Sequence, residues 1–189
     1  MTRVPLEHFE DGYHDDPDPW GFADRFYERR RYDLTVAALP RKRYRRAFEP
    51  ACAVGELTWR LAGRCDEVLA CDWAAAAVER ARARHGHLRN VVWSVAMVPE
   101  QWPAGRFDLV VLSELGYYFS PDELAAMRER AVASLEPGAT LVAVHWMGHS
   151  PDHLLHGDRV HEILGAGAGL VHGGAYRDDG FRLDWWERR

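Results

Sequence analysis

Arg46-Ala47-Phe48-Glu49-Pro50-Ala51-Cys52-Ala53-Val54-Gly55, with Asp72 further along, is the stretch on which the reading of this chain turns. It reads as a strand, a tight turn of small residues and the start of a helix. A second strand, Glu67-Val68-Leu69-Ala70-Cys71, ends in that acid. In an open α/β sheet this order opens a nucleoside-sized crevice at the carboxyl ends of both strands. An acid roughly 20 residues beyond the turn is placed to accept hydrogen bonds from ribose hydroxyls. Glu49 adds a second negative group at the same mouth. Two carboxylates repel a pyrophosphate and suit a ligand with a cationic end, which favours S-adenosylmethionine over NAD. The plain alternative is a structural strand–turn–helix with two solvated acids.

At 189 residues and 47% hydrophobic, the chain is sized for a single domain. An N-terminal helical cap is expected over residues 1–40 and a core over 41–189. A net charge of −5 gives no general attraction for nucleic acid or an anionic membrane, and neither is expected as a partner. The basic run Arg41-Lys42-Arg43-Tyr44-Arg45-Arg46 is the exception, read as a solvated connector. Cys52, Cys65 and Cys71 form an odd set with no Cys-x-x-Cys pair, which fits a reduced interior. Thr2, Arg3 and Pro5 open the chain without an apolar run, so no secretory signal is expected. Nor is there a run of about 18 apolar residues. A cytoplasmic monomer or homodimer is the expectation.

Around the opening stretch, strands alternate with helices. Helices are predicted over residues 6–12 and 22–39, separated by His14-Asp15-Asp16-Pro17-Asp18-Pro19-Trp20, where two prolines forbid continuous helix. Strands follow at 46–49, 67–71, 90–95 and 107–112, with helices at 56–61 and 74–84 between them. The fourth strand is apolar on both faces, as a central parallel strand is. Ser120-Pro121-Asp122-Glu123 marks a helix start: an N-cap serine, proline at the first position, acids in the first turn. That helix ends near 135, and Pro137-Gly138 leads into a strand at 140–146. A helix at 157–164 precedes strands at 169–176 and 181–187. Arg177-Asp178-Asp179-Gly180 joins those two as a hairpin, so the last strand is expected to be antiparallel. The fold class is α/β: a Rossmann-like, seven-stranded, mostly parallel sheet with an antiparallel last strand and helices on both faces.

From Arg46 onward this order resembles a class I methyltransferase core. Tyr13, Asp18-Pro19-Trp20 and Tyr27-Glu28-Arg29-Arg30-Arg31-Tyr32 narrow the likeness. With Glu49-Pro50-Ala51-Cys52, Ser113-Glu114-Leu115-Gly116-Tyr117-Tyr118 and Ala143-Val144-His145-Trp146, they resemble the nodulation-protein-S (NodS-like) family over nearly the full chain. The resemblance implies an S-adenosylmethionine-dependent N-methyltransferase; the family's type member methylates the free amine of a deacetylated chitooligosaccharide. It also implies that the N-terminal helices fold over the cofactor as a lid. Two places depart from the pattern. Ala51, with Ala53 two positions later, stands where glycine is wanted for positive φ and close backbone approach, and only Gly55 survives. Met97, in Ser94-Val95-Ala96-Met97-Val98-Pro99, replaces the acid that binds the adenine amine. Methionine packs on a purine face but cannot accept as a carboxylate does, which leaves adenine selectivity to backbone groups near Met97 and Val98.

Asp72 is the expected ribose ligand, with capping of the helix that opens at Ala74 as its alternative role. Trp73 either covers an adenine face or packs under that helix. Glu49 is assigned to the cofactor's ammonium group through water, or else to the turn amides. Trp20, after two prolines in an acidic segment, belongs to the lid, and Arg31 is assigned to the cofactor carboxylate as a bidentate donor. Ala51, Gly55, Met97, Val98 and Ser113 complete the cofactor-binding set. Glu114, Tyr117 and His145, at the ends of the fourth and fifth strands, are the catalytic candidates, with Tyr118 alongside. Transfer to an amine needs a deprotonated nitrogen in line with the sulfonium methyl, so positioning dominates and a base near neutrality assists. Histidine titrates in that range, so His145 is the expected base, with Glu114 accepting from an ammonium or orienting His145. A hydrogen-bonded core histidine is the other reading of His145, and packing that of the tyrosines. His145, His149, His153, His156 and His161 invite a metal reading, but Gly148 and Pro151 break the helix that would align them, and no metal site is expected.

The leading reading is N-methylation of a small molecule, an amino sugar or deacetylated oligosaccharide, within oligosaccharide biosynthesis. O-methylation of a small metabolite by the same core is the second. The third is a regulatory S-adenosylmethionine-binding relative whose catalysis Ala51 and Met97 have weakened.

Overall fold

The computed structural model describes residues 5–189; the N-terminal reading at Thr2 and Arg3 lies outside them. The chain forms two compact units, Pro5–Met97 and Val98–Arg189. In the first, helices α1 (Leu6–Asp15) and α2 (Phe26–Ala37) precede the alternation β1 (Tyr44–Pro50), α3 (Glu56–Ala62), β2 (Cys65–Asp72), α4 (Ala75–His85) and β3 (Val91–Val95). β1 pairs with β2 and β2 with β3, all parallel, which sets Glu49 opposite Ala70 and Asp72 opposite Val95. The basic run is half strand rather than connector, because Tyr44 already begins β1. Its arginines stay solvated by pairing with the start of β2, Arg43 with Asp66 at 2.5 Å and Arg46 with Glu67 at 2.6 Å.

In the second unit β4 (Phe107–Ser113) is followed by a 3-10 turn (Gly116–Tyr118), then α5 (Pro121–Ser134), β5 (Leu135–Trp146), α6 (Gly157–Gly165), β6 (Leu170–Arg177) and β7 (Phe181–Arg188). Every residue of β4 is buried, as in a strand covered on both faces. β4 and β5 run parallel, and β7 is antiparallel to both β5 and β6. Seven strands thus stand in the order β3-β2-β1-β4-β5-β7-β6, the expected mostly parallel sheet with a reversed last strand.

Local chemistry explains where the elements start and stop. The second helix starts at Phe26, later than its pattern suggests, because Asp18 claims the intervening amides. Its two carboxylate oxygens accept from Phe22 N–H and Ala23 N–H, each at 2.8 Å. Ser120 and Glu123 form the expected capping box at the head of α5. β5 starts early, at Leu135, and carries Pro137 and a left-handed Gly138 through a register shift opposite β4. Among the described residues, no helix is long and apolar enough to cross a membrane.

Candidate functional site

Beyond Pro50 the chain turns through Ala51 and Ala53 with φ of 59° and 49°, and Gly55 at 84°. Both alanines take the left-handed conformation for which glycine is the usual choice, at about 1–2 kcal/mol each. Three hydrogen bonds hold them there. Cys52 N–H donates to the Cys71 carbonyl and Gly55 N–H to the Cys52 carbonyl, both at 2.9 Å, and Ala53 N–H donates to Asp72 Oδ2 at 2.9 Å. Gly55 has no substitute: a Cβ there would lie 2.7 Å from the Trp93 ring and 3.1 Å from that of His85.

Asp72 sits at the carboxyl end of β2 and also serves the scaffold, its Oδ1 accepting Ala74 N–H at 3.0 Å. A carboxylate has about four acceptor positions, so these amides leave room for ligand hydroxyls. Burial pushes its pKa up to about 6 against the pull of the Ala53, Ala74 and Trp73 amides. Glu49, at the end of β1, is only 2% exposed. Burial pushes its pKa to about 8, Thr58 tempers the rise and Asp72 adds to it. Thr58 stands near without completing a hydrogen bond: Glu49 Oε2 and Thr58 Oγ1 are both buried and unpartnered among the described residues. Such an orphan costs about 1–3 kcal/mol and calls for an explanation, of which an absent ligand is one. The chain leaves β3 beside Asp72, with Ala96 N–H donating to the Asp72 carbonyl at 2.9 Å, which brings part-buried Met97 to this mouth. Val98 and Ser113 are both buried and belong to the second unit.

The N-terminal helices seat on the same turn. Trp20 packs against Phe9, Tyr13 and Phe22, with ring centroids at 6.2, 5.1 and 5.8 Å. That cluster rests on Val54, Ala74 and Ala77. Phe9 also meets Trp73 at 6.5 Å. Glu10 reaches from α1 to the head of α4, accepting from Ala75 N–H at 2.6 Å and Ala76 N–H at 3.2 Å. Sequence reasoning missed this cap, since nothing local to either helix announces it. Arg31 does find a carboxylate, but it is the protein's own Glu28 one turn earlier, and its guanidinium lies 4.9 Å from the Tyr32 ring centre.

In the second unit the structure brings the three catalytic candidates together. Glu114 follows β4 in a left-handed conformation, φ 53°, and is partly exposed. Its Oε2 accepts from the Tyr117 hydroxyl at 2.6 Å and its Oε1 from Trp146 N–H at 2.7 Å. Tyr117 is buried and stacks on His153 at 3.7 Å; burial lowers the pKa of that histidine. Tyr118 meets the same ring edge-on. His145 differs from the expected base. It is fully buried, its Nε2 accepts Gly116 N–H at 3.0 Å, and its Nδ1 faces His161 Nε2 at 3.1 Å. The ring is the core histidine of the alternative reading. His161 and Asp184 complete this contact. In the sequence His161 stands only within the rejected metal set and Asp184 is not singled out; Asp184 falls on a polar position of the β7 alternation, so nothing local marks it.

Comparison with known proteins places this geometry. Residues 11–152 match the family model for Nodulation protein S (NodS). Nodulation protein S of Rhizobium tropici is 30% identical over 129 residues, 66% of this chain and 53% of that protein. The chain thus spans little more than half the length of the curated relatives it matches. A candidate methyltransferase of known structure from Pseudomonas syringae is 43% identical, with a TM-score of 0.75 over 87% of this chain and 100% of that one. N-methyltransferase NodS from Bradyrhizobium japonicum WM9, solved with S-adenosyl-L-homocysteine, gives a TM-score of 0.86 at 22% identity over 98% of this chain and 99% of that one. The fold is accordingly the Rossmann-like fold of class I methyltransferases. Because the family match runs from α1 past the end of β5, the chain belongs to the nodulation protein S family.

Proposed function

We propose that this chain is an S-adenosylmethionine-dependent methyltransferase that N-methylates a small amine-bearing acceptor, an amino sugar or deacetylated oligosaccharide. The observation that carries the reading is Glu49. A buried carboxyl at the end of β1, one oxygen unpartnered beside the unpartnered Thr58 hydroxyl, suits a ligand ammonium. Asp72 then takes ribose hydroxyls, and the turn from Ala51 to Gly55 brings the backbone close. Trp73 and Met97 supply apolar faces for adenine, Val98 its backbone, and Ser113 a hydroxyl, while Trp20 and Arg31 belong to the lid. When bound, the cofactor supplies a methyl group on a sulfonium sulfur. This chain's part is to hold the acceptor nitrogen with its lone pair free and to take up, at Glu114, the one proton that nitrogen sheds. Glu114, held by Tyr117 and the Trp146 amide, receives the acceptor's N–H; His145 holds the turn beneath it. Membership of a family that includes an N-methyltransferase favours nitrogen over oxygen. Three buried cysteines that form no disulfide fit a reducing, cytoplasmic setting.

Calorimetry with S-adenosylmethionine and S-adenosylhomocysteine tests the cofactor, and mass spectrometry over a panel of amines, amino sugars and hydroxylated analogues tests the acceptor. Asp72→Ala is expected to weaken binding by about 1.5–3 kcal/mol, the worth of hydrogen bonds to a charged group. No binding of either compound at millimolar concentration refutes the reading, and methylation confined to hydroxyls refutes its nitrogen half.

A further inference from the structure

We infer that His161 and Asp184 are positioning residues for Glu114 and Tyr117, acting through His145 along a buried line of hydrogen bonds that ends on the Gly116 amide. The inference rests on the reading of Glu114 and Tyr117 as acceptor-side residues. The line runs Gly116 N–H to His145 Nε2 at 3.0 Å, His145 Nδ1 to His161 Nε2 at 3.1 Å, and His161 Nδ1 to Asp184 Oδ2 at 2.6 Å. His145, His161 and Asp184 are each at most 2% exposed.

Both ends of the line have fixed roles, and they dictate the middle. A backbone N–H can only donate, so His145 Nε2 must carry a lone pair. At the far end burial raises the Asp184 pKa, but hydrogen bonds from His161, Arg182 and His172 outweigh it and hold the carboxyl well below the usual range. An ionised carboxylate can only accept, so His161 Nδ1 carries a proton. A neutral imidazole carries a single proton, and on His145 only Nδ1 is left to hold it, so the facing His161 Nε2 accepts. Burial, which lowers the pKa of His161, acts in the same sense. His145 must therefore donate from Nδ1, and both rings are Nδ1–H tautomers. Arg182 Nε at 2.7 Å and His172 Nε2 at 2.8 Å also bind Asp184, and Arg182 reaches on to Asp158 at 3.0 Å.

The line adds a side-chain anchor at Gly116 to a turn whose flanks are already tied down, Glu114 N–H donating to the Val144 carbonyl and Leu154 N–H to the Tyr117 carbonyl. Gly116 tolerates no side chain, because a Cβ would collide with Val160 Cγ1 and lie 3.1 Å from His145 Nε2. One residue pair earlier, Glu114 is left-handed, and one residue later Tyr117 closes onto the Glu114 carboxylate. Without His161 as acceptor, His145 can move its proton to Nε2, setting N–H against N–H and releasing Gly116. Apolar side chains would fill the same volume without that control, and a buried polar line is costly unless fully satisfied.

The test is nitrogen NMR of the labelled full chain with amide exchange at Gly116. The parent should show an unprotonated His145 Nε2 through the neutral range and a Tyr117 hydroxyl proton protected by Glu114. In His161→Leu, Gly116 exchange should rise about tenfold, the loss of one buried hydrogen bond, while β4 amides keep their protection. The Tyr117 hydroxyl signal should broaden with it. His161→Gln, whose amide oxygen can accept from His145 Nδ1–H, should restore both. A folded Leu variant with parental Gly116 exchange overturns the proposal, as does a proton on His145 Nε2 in the parent, which needs no variant to fold. Calorimetry on the same samples separates the two readings. A parent that binds no S-adenosylmethionine defeats the methyltransferase reading while leaving the tautomers to be judged on their own.

Discussion

Glu49 gives up its hydration without full recompense and so keeps its proton to high pH. Its pKa rises from 4.5 to about 8, and that of Asp72 from 3.8 to about 6, burial leading in both. In the unfolded chain both ionise at ordinary values, so across these windows the folded state binds more protons. Stability is then full below the unfolded values and declines as pH climbs through about 6 and then about 8. Urea unfolding is expected to show a falling midpoint over that range, with Glu49→Gln flattening its upper part; a midpoint equally steep in the variant assigns the slope to other groups. The neighbouring alanines make a separate prediction. Ala51→Gly and Ala53→Gly should each change stability favourably by up to about 1 kcal/mol, strain relief exceeding the added chain entropy. Unfolding midpoints at or below the parent's would show that the turn holds alanine without strain. The sequence shows that alanine occupies these places. It does not show that the backbone stays left-handed, because the bond that holds Ala53 comes from Asp72, 19 residues away.

Elements were legible wherever their signals are local. The capping box of α5, the apolar run of β4 and the Asp-Gly hairpin before β7 each announce themselves within a few residues, and the structure places them there. The Gly116–Tyr118 turn was missed because three residues have no period. The head of α4 was legible only in part. Asp72 takes the Ala74 amide, as its alternative role required, but the next two amides are met by Glu10 of α1. An acid at a helix head answers orphan amides and the positive end of the dipole together. Glu10→Ala is expected to cost about 1 kcal/mol, the usual loss of a side-chain cap, with faster amide exchange through α1 and at Ala75 and Ala76. If α1 exchange stays at the parental rate, the aromatic cluster of Phe9, Tyr13 and Trp20 alone seats α1.

At the scale of the molecule, the three thiols report which parts of the fold open together. Cys52, Cys65 and Cys71 form no disulfide, and their exposures are 5%, 0% and 2%. Only a thiolate reacts quickly, and burial raises the pKa of Cys52 and pushes that of Cys71 up to about 12. Access and ionisation therefore both protect Cys52 and Cys71, burial denies access to Cys65, and labelling must pass through an open state. The openings differ in size. Cys52 lies in the strained turn and needs only that turn to loosen, whereas Cys65 is paired with Tyr44 at the start of β2 and needs the β1–β2 ladder to part. Local openings cost less than global ones, so a thiol reagent at neutral pH should label Cys52 first and Cys65 at the rate of global unfolding. Mild urea should accelerate Cys65 steeply and Cys52 weakly, because sensitivity to urea follows the surface exposed on opening. S-adenosylmethionine, if it binds the turn as proposed, should slow Cys52 labelling even where urea has little effect. Equal rates and equal urea dependence at the two sites would mean that the turn has no opening of its own, and that its left-handed alanines are held as firmly as the sheet.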